Sequence, residues 1–441
     1  MTSQYRLAFV ILNLPFYRTL GSIILEACKN PQFDVEILVG PRIREGTKVG
    51  YSARASNVPE ALQGHCKITE VDTIDELIDC VKCVDGVVSV VGRRYMLEEL
   101  SEHIKNVPWF SVFDAYHSTA VSHYLYDASI SFFPTEFYLN LAIRNLRNYI
   151  PSHRLHSPLS QDEIDTAIRL LKCNSVIIGH TRLDGISHLD RREIRAEWGI
   201  TDEDRVVLYI PDVFRFGYTG PDLVTPWYFL IWCEDNVVMR LLNACFRLRN
   251  VQAICDAVNP FMGEKATLRS LRKFCDNNDA LLVMFPRRIK EFKTGTGITD
   301  KELSTMDVIL SERNYYPQSL PKATKMADLV VSGYRSASSL EALGLQTSFV
   351  TIALPIRAIS EVDHEWCNLY DNERANTQGA SWLIDAEDFA RDFQKSHLED
   401  FEFDPHAADD AIKKHIGTTD GKRSRCIVNR IKEYLHSNNA R

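Results

Sequence analysis

The chain has 441 residues, of which 45% are hydrophobic and 25% are charged, and its 59 acidic and 51 basic side chains give a net charge of −8. This length exceeds one typical domain of roughly 100–200 residues and indicates two compact domains, while the composition excludes wholesale disorder. The acidic balance argues against nucleic acid as a partner, because phosphate backbones favour a basic surface.

The eleven cysteines lack the dense spacing of a secreted disulfide framework, so we interpret them as reduced core residues. Cys80 and Cys83 form the one close pair. They lie in a helical pattern without a second pair at zinc-site spacing, which favours packing over a metal or redox role. No signal-peptide pattern and no run of about 18 apolar residues is present. The sequence therefore predicts a cytoplasmic protein, whose membrane contact, if any, is peripheral and at the inner face.

The first part of the chain alternates short apolar runs with helical patterns, which is typical of a parallel sheet covered on both faces. The runs are continuously apolar, as expected of strands buried on both sides. The predicted strands are RLAFVIL (6–12), DVEILVG (34–40), GVVSVVG (86–92), PWFSVFDA (108–115), ISFFP (130–134) and SVIIG (175–179). The helices between them include RTLGSIILEACKN, TIDELIDCVKCV and LEELSEHIKN.

Near residue 180 the chain becomes polar, and a second series of strands follows. These are VVLYIPD (206–212), ALLVMFP (280–286), DVIL (307–310), ADLVVSGY (327–334), TSFVTIA (347–353) and SWLID (381–385). We therefore predict an α/β chain of two Rossmann-like, doubly wound domains, residues 1–180 and 181–441, that face each other across a cleft. An aromatic insertion at 214–236 is either a hydrophobic plug or a loop that contacts an acceptor or a membrane. The closing segment predicts an amphipathic helix with Ile427, Ile431 and Leu435 on one stripe.

In doubly wound sheets ligands bind outside the carboxyl ends of the strands. One such exit, VVSGYRSASSLEALGL (330–345), is crowded with hydroxyl side chains just before a helix, where free N–H groups attract an anion such as phosphate. Gly333 permits close approach of the backbone, and Arg335 matches phosphate geometry. The candidate hydroxyl donors are Ser336, Ser338 and Ser339. Glu341 is placed to accept hydrogen bonds from a ribose diol, although a capping box between Ser338 and Glu341 is the structural alternative.

Two further exits carry candidate residues. After ALLVMFP, the cations Arg287, Arg288 and Lys290 would stabilise a pyrophosphate leaving group, with a solvated basic surface as the alternative. After PWFSVFDA, His117 is a candidate general base that Asp114 would orient, with a structural histidine as the alternative. The exit at 13–22 lacks the G-x-G-x-x-G fingerprint, which disfavours a nicotinamide enzyme. The acidic clusters at 202–204 and 276–279 indicate caps and turns, so no metal site is predicted.

Taken in order, five segments resemble the two-domain GT-B glycosyltransferase superfamily. They are GHTRLDGI, DRVVLYIPD, LLVMFPRR, MADLVVSGYRSASSLEALGL and TTDGKRSRCIVNRIKEYL. Within that superfamily the chain is most similar to the CDP-glycerol glycerophosphotransferases and related transferases of the teichoic-acid and capsule type, with UDP-N-acetylglucosamine 2-epimerase as a cousin. The resemblance covers most of the chain. It implies a GT-B fold with an acceptor-side first domain and a nucleotide-donor second domain.

The resemblance also implies roles for particular residues. The serine-rich turn with Glu341 would hold the phosphates and ribose of a nucleotide. His117-Ser118-Thr119 matches a stretch that supplies the acceptor-side base, although Ser118 replaces the glycine of the family. The His-Pro motif of the second domain reads Phe-Pro-Arg-Arg at 285–288, so either the arginines take over that role or the role is absent.

The leading hypothesis is a glycosyltransferase of cell-surface polysaccharide synthesis. It would move a sugar from a nucleotide-sugar donor to a hydroxyl of a glycan or lipid-linked acceptor. His117 would act as base, Arg287 would steady the departing phosphate, and neither a metal nor another cofactor would be required. The alternatives are a CDP-polyol phosphotransferase, a UDP-sugar 2-epimerase, and a non-catalytic subunit that binds a nucleotide or glycan.

Overall fold

The computed structural model describes residues 4–40, 53–93, 103–113, 127–147, 160–186, 188–211, 264–286, 298–311, 315–333, 338–353 and 376–439. The chain divides into two compact units. The first comprises Met1–His188, Asn314–Gln318 and Lys413–Arg441, and the second comprises Leu189–Arg313 and Ser319–Ile412. The boundary predicted after residue 180 groups the closing helix with the second half of the chain, whereas packing groups it with the first unit.

The first unit is built on a parallel sheet of seven described strands in the order β3-β2-β1-β4-β5-β6-β7. The strands are β1 (Tyr5–Ile11), β2 (Phe33–Val39), β3 (Lys67–Glu70), β4 (Gly86–Ser89), β5 (Trp109–Val112), β6 (Ile130–Phe133) and β7 (Ser175–Ile177). The second unit has a parallel sheet of six described strands in the order β10-β9-β8-β11-β12-β13. These are β8 (Arg205–Ile210), β9 (Ala280–Met284), β10 (Val308–Ile309), β11 (Leu329–Gly333), β12 (Ser348–Ala353) and β13 (Ser381–Asp385).

Helices connect the strands of both sheets. They are α1 (Tyr17–Cys28), α2 (Ile74–Lys82), α3 (Glu136–Arg147), α4 (Gln161–Asn174), α5 (Arg191–Glu197), α6 (Glu264–Asn277), α7 (Asp300–Leu303), α8 (Ser319–Met326), α9 (Ser338–Gly344), α10 (Ala386–Asp392), α11 (Asp409–His415) and α12 (Arg423–Asn439). Local sequence fixes several starts. Thr73 and Ser160 form capping boxes at α2 and α4, and the Asp190 carboxylate caps α5. Short 3-10 turns lie at Leu14–Phe16, Ala55–Asn57, Glu60–Leu62, Thr181–Leu183, Phe393–Lys395 and Leu398–Phe401.

The two parallel sheets confirm the predicted fold class of two Rossmann-like units. Each sheet follows the strand order 3-2-1-4-5-6 of the doubly wound fold, and the first sheet adds a seventh strand. Every strand expected from a continuous apolar run is present. β3 was not expected, because its sequence KITE alternates and none of its side chains is fully buried at the sheet edge.

The helix α12 completes the hydrophobic core of the first unit. Ile427, Ile431 and Leu435, the stripe seen in the sequence, are buried within the same core cluster as β1, β2 and β4. Its Tyr434 ring meets Phe110 of β5 edge-on at 5.5 Å between ring centres. The His436 Nδ1 lies 2.8 Å from the Tyr5 hydroxyl at the start of β1. The last helix of the chain therefore packs on the sheet that the chain forms first.

Candidate active site

The second sheet has a topological switch point between β8 and β11. From β8 the sheet grows through β9 and β10 on one side and through β11, β12 and β13 on the other. Open α/β sheets bind ligands outside the carboxyl ends of the strands at such a point. The Ser332 hydroxyl donates to the Ile210 carbonyl at 3.0 Å and ties the ends of these two strands together. Gly333 is the last residue of β11, and α9 begins at Ser338.

The three described polar residues of this exit are buried. Ser338 is 3% exposed, Ser339 is 5% exposed and Glu341 is 3% exposed, and all three take part in interactions within the protein. The helix begins at Ser338 itself, whereas in a capping box the serine precedes the first helical residue. In this structure their side chains therefore support the start of α9 from within, and a ligand meets their polar atoms only after a local rearrangement.

A second buried polar pair lies in the same unit. Tyr209, near the carboxyl end of β8, donates a hydrogen bond to a carboxylate oxygen of Glu264, the first residue of α6. Both side chains are buried, at 0% and 1% exposure. Sequence reasoning missed this pair, because Tyr209 lies inside an apolar strand and Glu264 is 55 positions away. Its position next to the switch point makes it a candidate for supporting the site.

In the first unit, the exit of β7 carries a buried histidine. His180 is 1% exposed, and its pKa is lowered to about 3, first by burial and then by the nearby Arg182 cation. The ring is therefore neutral at physiological pH. The segment GHTRLDGI was recognised in the sequence, but His180 was not singled out. A lone histidine inside a resemblance motif gives no signal of burial.

The exit at residues 13–22 is structural. An added Cβ at Gly21 would lie 2.3 Å from the Tyr316 ring, so glycine permits α1 to pack against the segment 314–318. The Gln318 side chain donates to the Arg18 carbonyl at 2.8 Å, and the Arg18 guanidinium lies over the Tyr315 ring. These contacts give the exit a packing role, in line with the missing dinucleotide fingerprint.

Seven predicted site residues lie outside the described residues. They are Asp114, His117, Arg287, Arg288, Lys290, Arg335 and Ser336. Their roles stay predictions, as does the interpretation of the aromatic insertion at 214–236.

Metal and thiol chemistry find little support in the described ranges. No group of three or more His, Cys, Asp or Glu side chains there is placed to hold a metal ion. Cys80 and Cys83 are free thiols, and burial raises the pKa of Cys80. Cys28 and Cys66 share a hydrogen bond between their side chains, which lowers the pKa of Cys28 and raises that of Cys66.

Comparison with known proteins gives the fold. No protein-family model matches the chain, and no curated protein matches it significantly. Among solved structures, a variant of the wall teichoic acid polymerase TagF is similar with a TM-score of 0.55 at 9% identity, covering 99% of this chain and 90% of that one. The UDP-GlcNAc 2-epimerase from Neisseria meningitidis is similar with a TM-score of 0.53 at 12% identity, covering 97% and 100%. The one from Methanocaldococcus jannaschii has a TM-score of 0.51 at 15% identity, covering 97% and 99%.

These similarities, together with the two parallel sheets, show that the chain has the two-domain GT-B type of fold. Identities of this size show a shared architecture and leave the activity to be argued from the site. Among the described helices, none has both the length and the apolar character needed to cross a bilayer.

Proposed function

We propose that this chain is a GT-B transferase that moves a sugar from a nucleotide-sugar donor to a hydroxyl of a glycan or lipid-linked acceptor. The acceptor oxygen attacks the anomeric carbon of the donor sugar. The bond from that carbon to the diphosphate breaks, the hydroxyl proton passes to a base, and a nucleoside diphosphate leaves. The proposed setting is cell-surface polysaccharide synthesis in the cytoplasm, at the inner face of the membrane.

One observation carries the proposal: the serine-rich exit follows β11 at the switch point of the second sheet, where doubly wound folds bind ligands. Proteins of the same fold bind nucleotides or their conjugates. A TagF structure was soaked with CDPG, an epimerase structure contains UDP-GlcNAc, and S. aureus MnaA was solved with UDP. These neighbours support a nucleotide-activated donor for this chain.

The proposed roles follow the chemistry of the side chains. His117 takes the acceptor proton, and Asp114 orients its ring. Arg287, with Arg288 and Lys290, offsets the charge that develops on the departing phosphate. Because these cations stabilise the leaving group, the proposed transfer needs neither a metal nor another cofactor.

The donor would be held by the exit after β11. Gly333 lets the backbone approach the phosphates, and Arg335 and the hydroxyls of Ser336, Ser338 and Ser339 donate to them. Glu341 accepts from the ribose. Since the last two serines and Glu341 are buried, the proposal requires that donor binding rearranges the start of α9.

The first test is a thermal-shift screen of the full chain against UDP, CDP, CMP, GDP and ADP, because a ligand that binds only the folded state raises the melting temperature. We expect a shift with at least one nucleoside diphosphate, and expect Glu341→Gln to reduce it. Ser304→Ala is the control, since that exposed serine bonds only the nearby Lys301 carbonyl. A full shift in Glu341→Gln would remove Glu341 from the site, and no shift with any nucleotide would contradict the proposal.

Turnover is tested with His117→Ala. We expect this variant to keep the nucleotide-induced shift and to lose transfer, because only the proton acceptor is removed. Unchanged turnover would remove His117 from the mechanism.

Transfer of a polyol phosphate is a second candidate, favoured by the similarity to TagF over 99% of this chain. It breaks a different bond of the donor and releases CMP, so identification of the released nucleotide separates it from sugar transfer. Epimerisation is a third candidate, favoured by the two epimerase structures. It needs no acceptor, so incubation with UDP-GlcNAc alone decides it. Nucleotide binding without turnover across an acceptor panel would indicate a non-catalytic subunit.

A further inference from the structure

Two recognised motifs meet in the first unit, away from the proposed donor exit. These are the GHTRLDGI segment after β7 and the TTDGKRSRC segment before α12. The Asp184 carboxylate of the first motif accepts hydrogen bonds from the backbone N–H groups of Arg423 and Ser424 at the start of α12. The Ser424 hydroxyl donates to Ser22 at 2.8 Å. These bonds hold the two motifs in one place.

The junction of these motifs encloses a cavity of about 340 Å³ at the carboxyl ends of β6 and β7. Its walls include the segment 134–137, the end of β7 with Gly179, and residues of the second motif. A volume of this size falls at the lower end of the range of roughly 300–1,000 Å³ for small-molecule sites. The cavity lies entirely within the first unit.

Glycines allow the close approach that forms the cavity wall. Gly179 has φ +91°, and a Cβ there would lie 2.7 Å from the Thr418 carbonyl oxygen. Gly417 has φ +72°, and a Cβ there would lie 3.1 Å from the Pro134 carbonyl oxygen. The Thr135 hydroxyl donates to the Lys414 carbonyl at 2.6 Å. Backbone therefore packs directly on backbone, and larger residues would close this wall.

The lining is cationic on a protein whose net charge is −8. Lys413, Lys414 and Arg423 line the cavity, together with one carboxylate, Glu136. Arg423 is held in position, because its guanidinium pairs with Asp420 and donates to the Ile178 carbonyl at 3.2 Å. With both carboxylates counted, the three cations leave an excess of one positive charge, contributed by the two lysines.

The cavity also has an apolar side. The Lys414 Nζ lies 5.0 Å from the centre of the Phe137 ring, which fixes this lysine beside an aromatic face. Ile177 is 41% exposed, which is unusual for an isoleucine of a parallel sheet. A ligand that carries both an anionic group and a carbon skeleton fits this combination better than a bare ion does.

We propose that this cavity is a binding site for a phosphate ester. The phosphate is held by Lys413 and Lys414, and the carbon skeleton lies against Phe137 and Ile177. The inference goes beyond the proposed function and does not depend on it, since every residue used belongs to the first unit. Phosphate esters occur as small soluble metabolites and as lipid headgroups, and the chemistry of recognition is shared.

The test is isothermal titration of the full chain with inorganic phosphate and with glycerol 3-phosphate, and co-sedimentation with phosphatidylglycerol vesicles against phosphatidylcholine vesicles. We expect glycerol 3-phosphate to bind more tightly than inorganic phosphate. The variant K413A/K414A should bind at least about tenfold more weakly, because a hydrogen bond to a charged group contributes that much. Preferential binding to phosphatidylglycerol vesicles that the same variant loses would identify a lipid headgroup as the source of the ester.

The matched control is K422A/K432A, which removes two lysines outside the lining. It should bind as the wild type does. Thermal unfolding of both variants checks that the fold is kept. Three outcomes would overturn the proposal: no binding of any phosphate ester or anionic vesicle by the wild type, undiminished binding in K413A/K414A, or an equal loss in the control. Nucleotide shifts measured at the donor exit are independent of these results.

Discussion

At the scale of single residues, His180 makes the stability of the first unit depend on pH. The pKa of the buried ring is lowered to about 3, against an ordinary value of 6.5. A depressed pKa of this kind gives stability that is complete above pH 6.5 and is lost as the pH falls towards 3. The unfolded chain binds the proton first, so acid favours unfolding.

We expect the free energy of unfolding to fall by about 2 kcal/mol between pH 7.5 and pH 5 through this residue alone. Urea unfolding of the wild type and His180→Gln at the two pH values measures the effect. The variant should show a correspondingly smaller pH dependence. His406→Gln, a change at an exposed histidine, should leave the pH dependence unchanged. Equal slopes for wild type and His180→Gln would show that the ring is not held neutral by the fold.

Gly21 is a second residue whose identity follows from packing. Glycine inside a helix ordinarily costs about 1 kcal/mol relative to alanine, so Gly21→Ala would stabilise an open site. Here the added methyl group meets the Tyr316 ring at 2.3 Å, and overpacking typically costs about 1–3 kcal/mol. We expect a net loss of stability in chemical unfolding. Gly185→Ala is the control, because no atom lies within 4 Å of the added group, and a stabilised Gly21→Ala would contradict the packing.

At the scale of elements, Asp184 caps α12 from more than 200 residues away in sequence. Burial raises its pKa, and the N–H groups of Arg423 and Ser424 oppose that shift. We expect Asp184→Ala to lower stability by about 1–2 kcal/mol, as the loss of a helix cap does. Hydrogen exchange should accelerate in the first turn of α12. Ser160→Ala removes the cap of α4 instead, so acceleration confined to α4 in that control and to α12 in the test would support the assignment.

The secondary structure of this chain was largely predictable because its strands are buried on both faces. Runs such as 6–12 and 327–334 are continuously apolar, and β1 and β11 lie within one residue or two of them. β3 escaped prediction because an exposed edge strand has no such run. The partner of α12 was also unpredictable. Its stripe shows which side chains are buried, but the surface that covers them is set by contacts distant in sequence.

The candidate site was predictable in position but not in accessibility. The order of the strands locates the exit of β11 at the switch point, and hydroxyl side chains at 336–339 mark it in the sequence. Burial of Ser338 and Glu341 depends on how α9 packs, which a local pattern does not contain. The Tyr209–Glu264 pair is likewise a tertiary contact between residues that carry no shared motif.

At the scale of the whole molecule, the first unit is not continuous in sequence. It requires Lys413–Arg441 and Asn314–Gln318 in addition to the first 188 residues. Ile427, Val428, Ile431 and Leu435 of α12 are each at most 3% exposed within its core. Burial of an apolar side chain contributes about 1.5–3 kcal/mol, so these four contribute roughly 6–12 kcal/mol by that measure. A whole domain is stable by only about 5–15 kcal/mol.

A chain that ends at residue 412 should therefore lose the folded first unit, even though all seven of its strands remain. Hydrogen exchange of β1 to β7 should lose its protection, and limited proteolysis should cut within the first 188 residues. Addition of a peptide covering 413–441 should restore protection, since it returns the missing core face. The control is R430A/E433A in the full chain, because that exposed ion pair is worth at most about 1 kcal/mol. Native protection of β1 to β7 in the shortened chain would show that α12 is an addition to the first unit and not a part of its core.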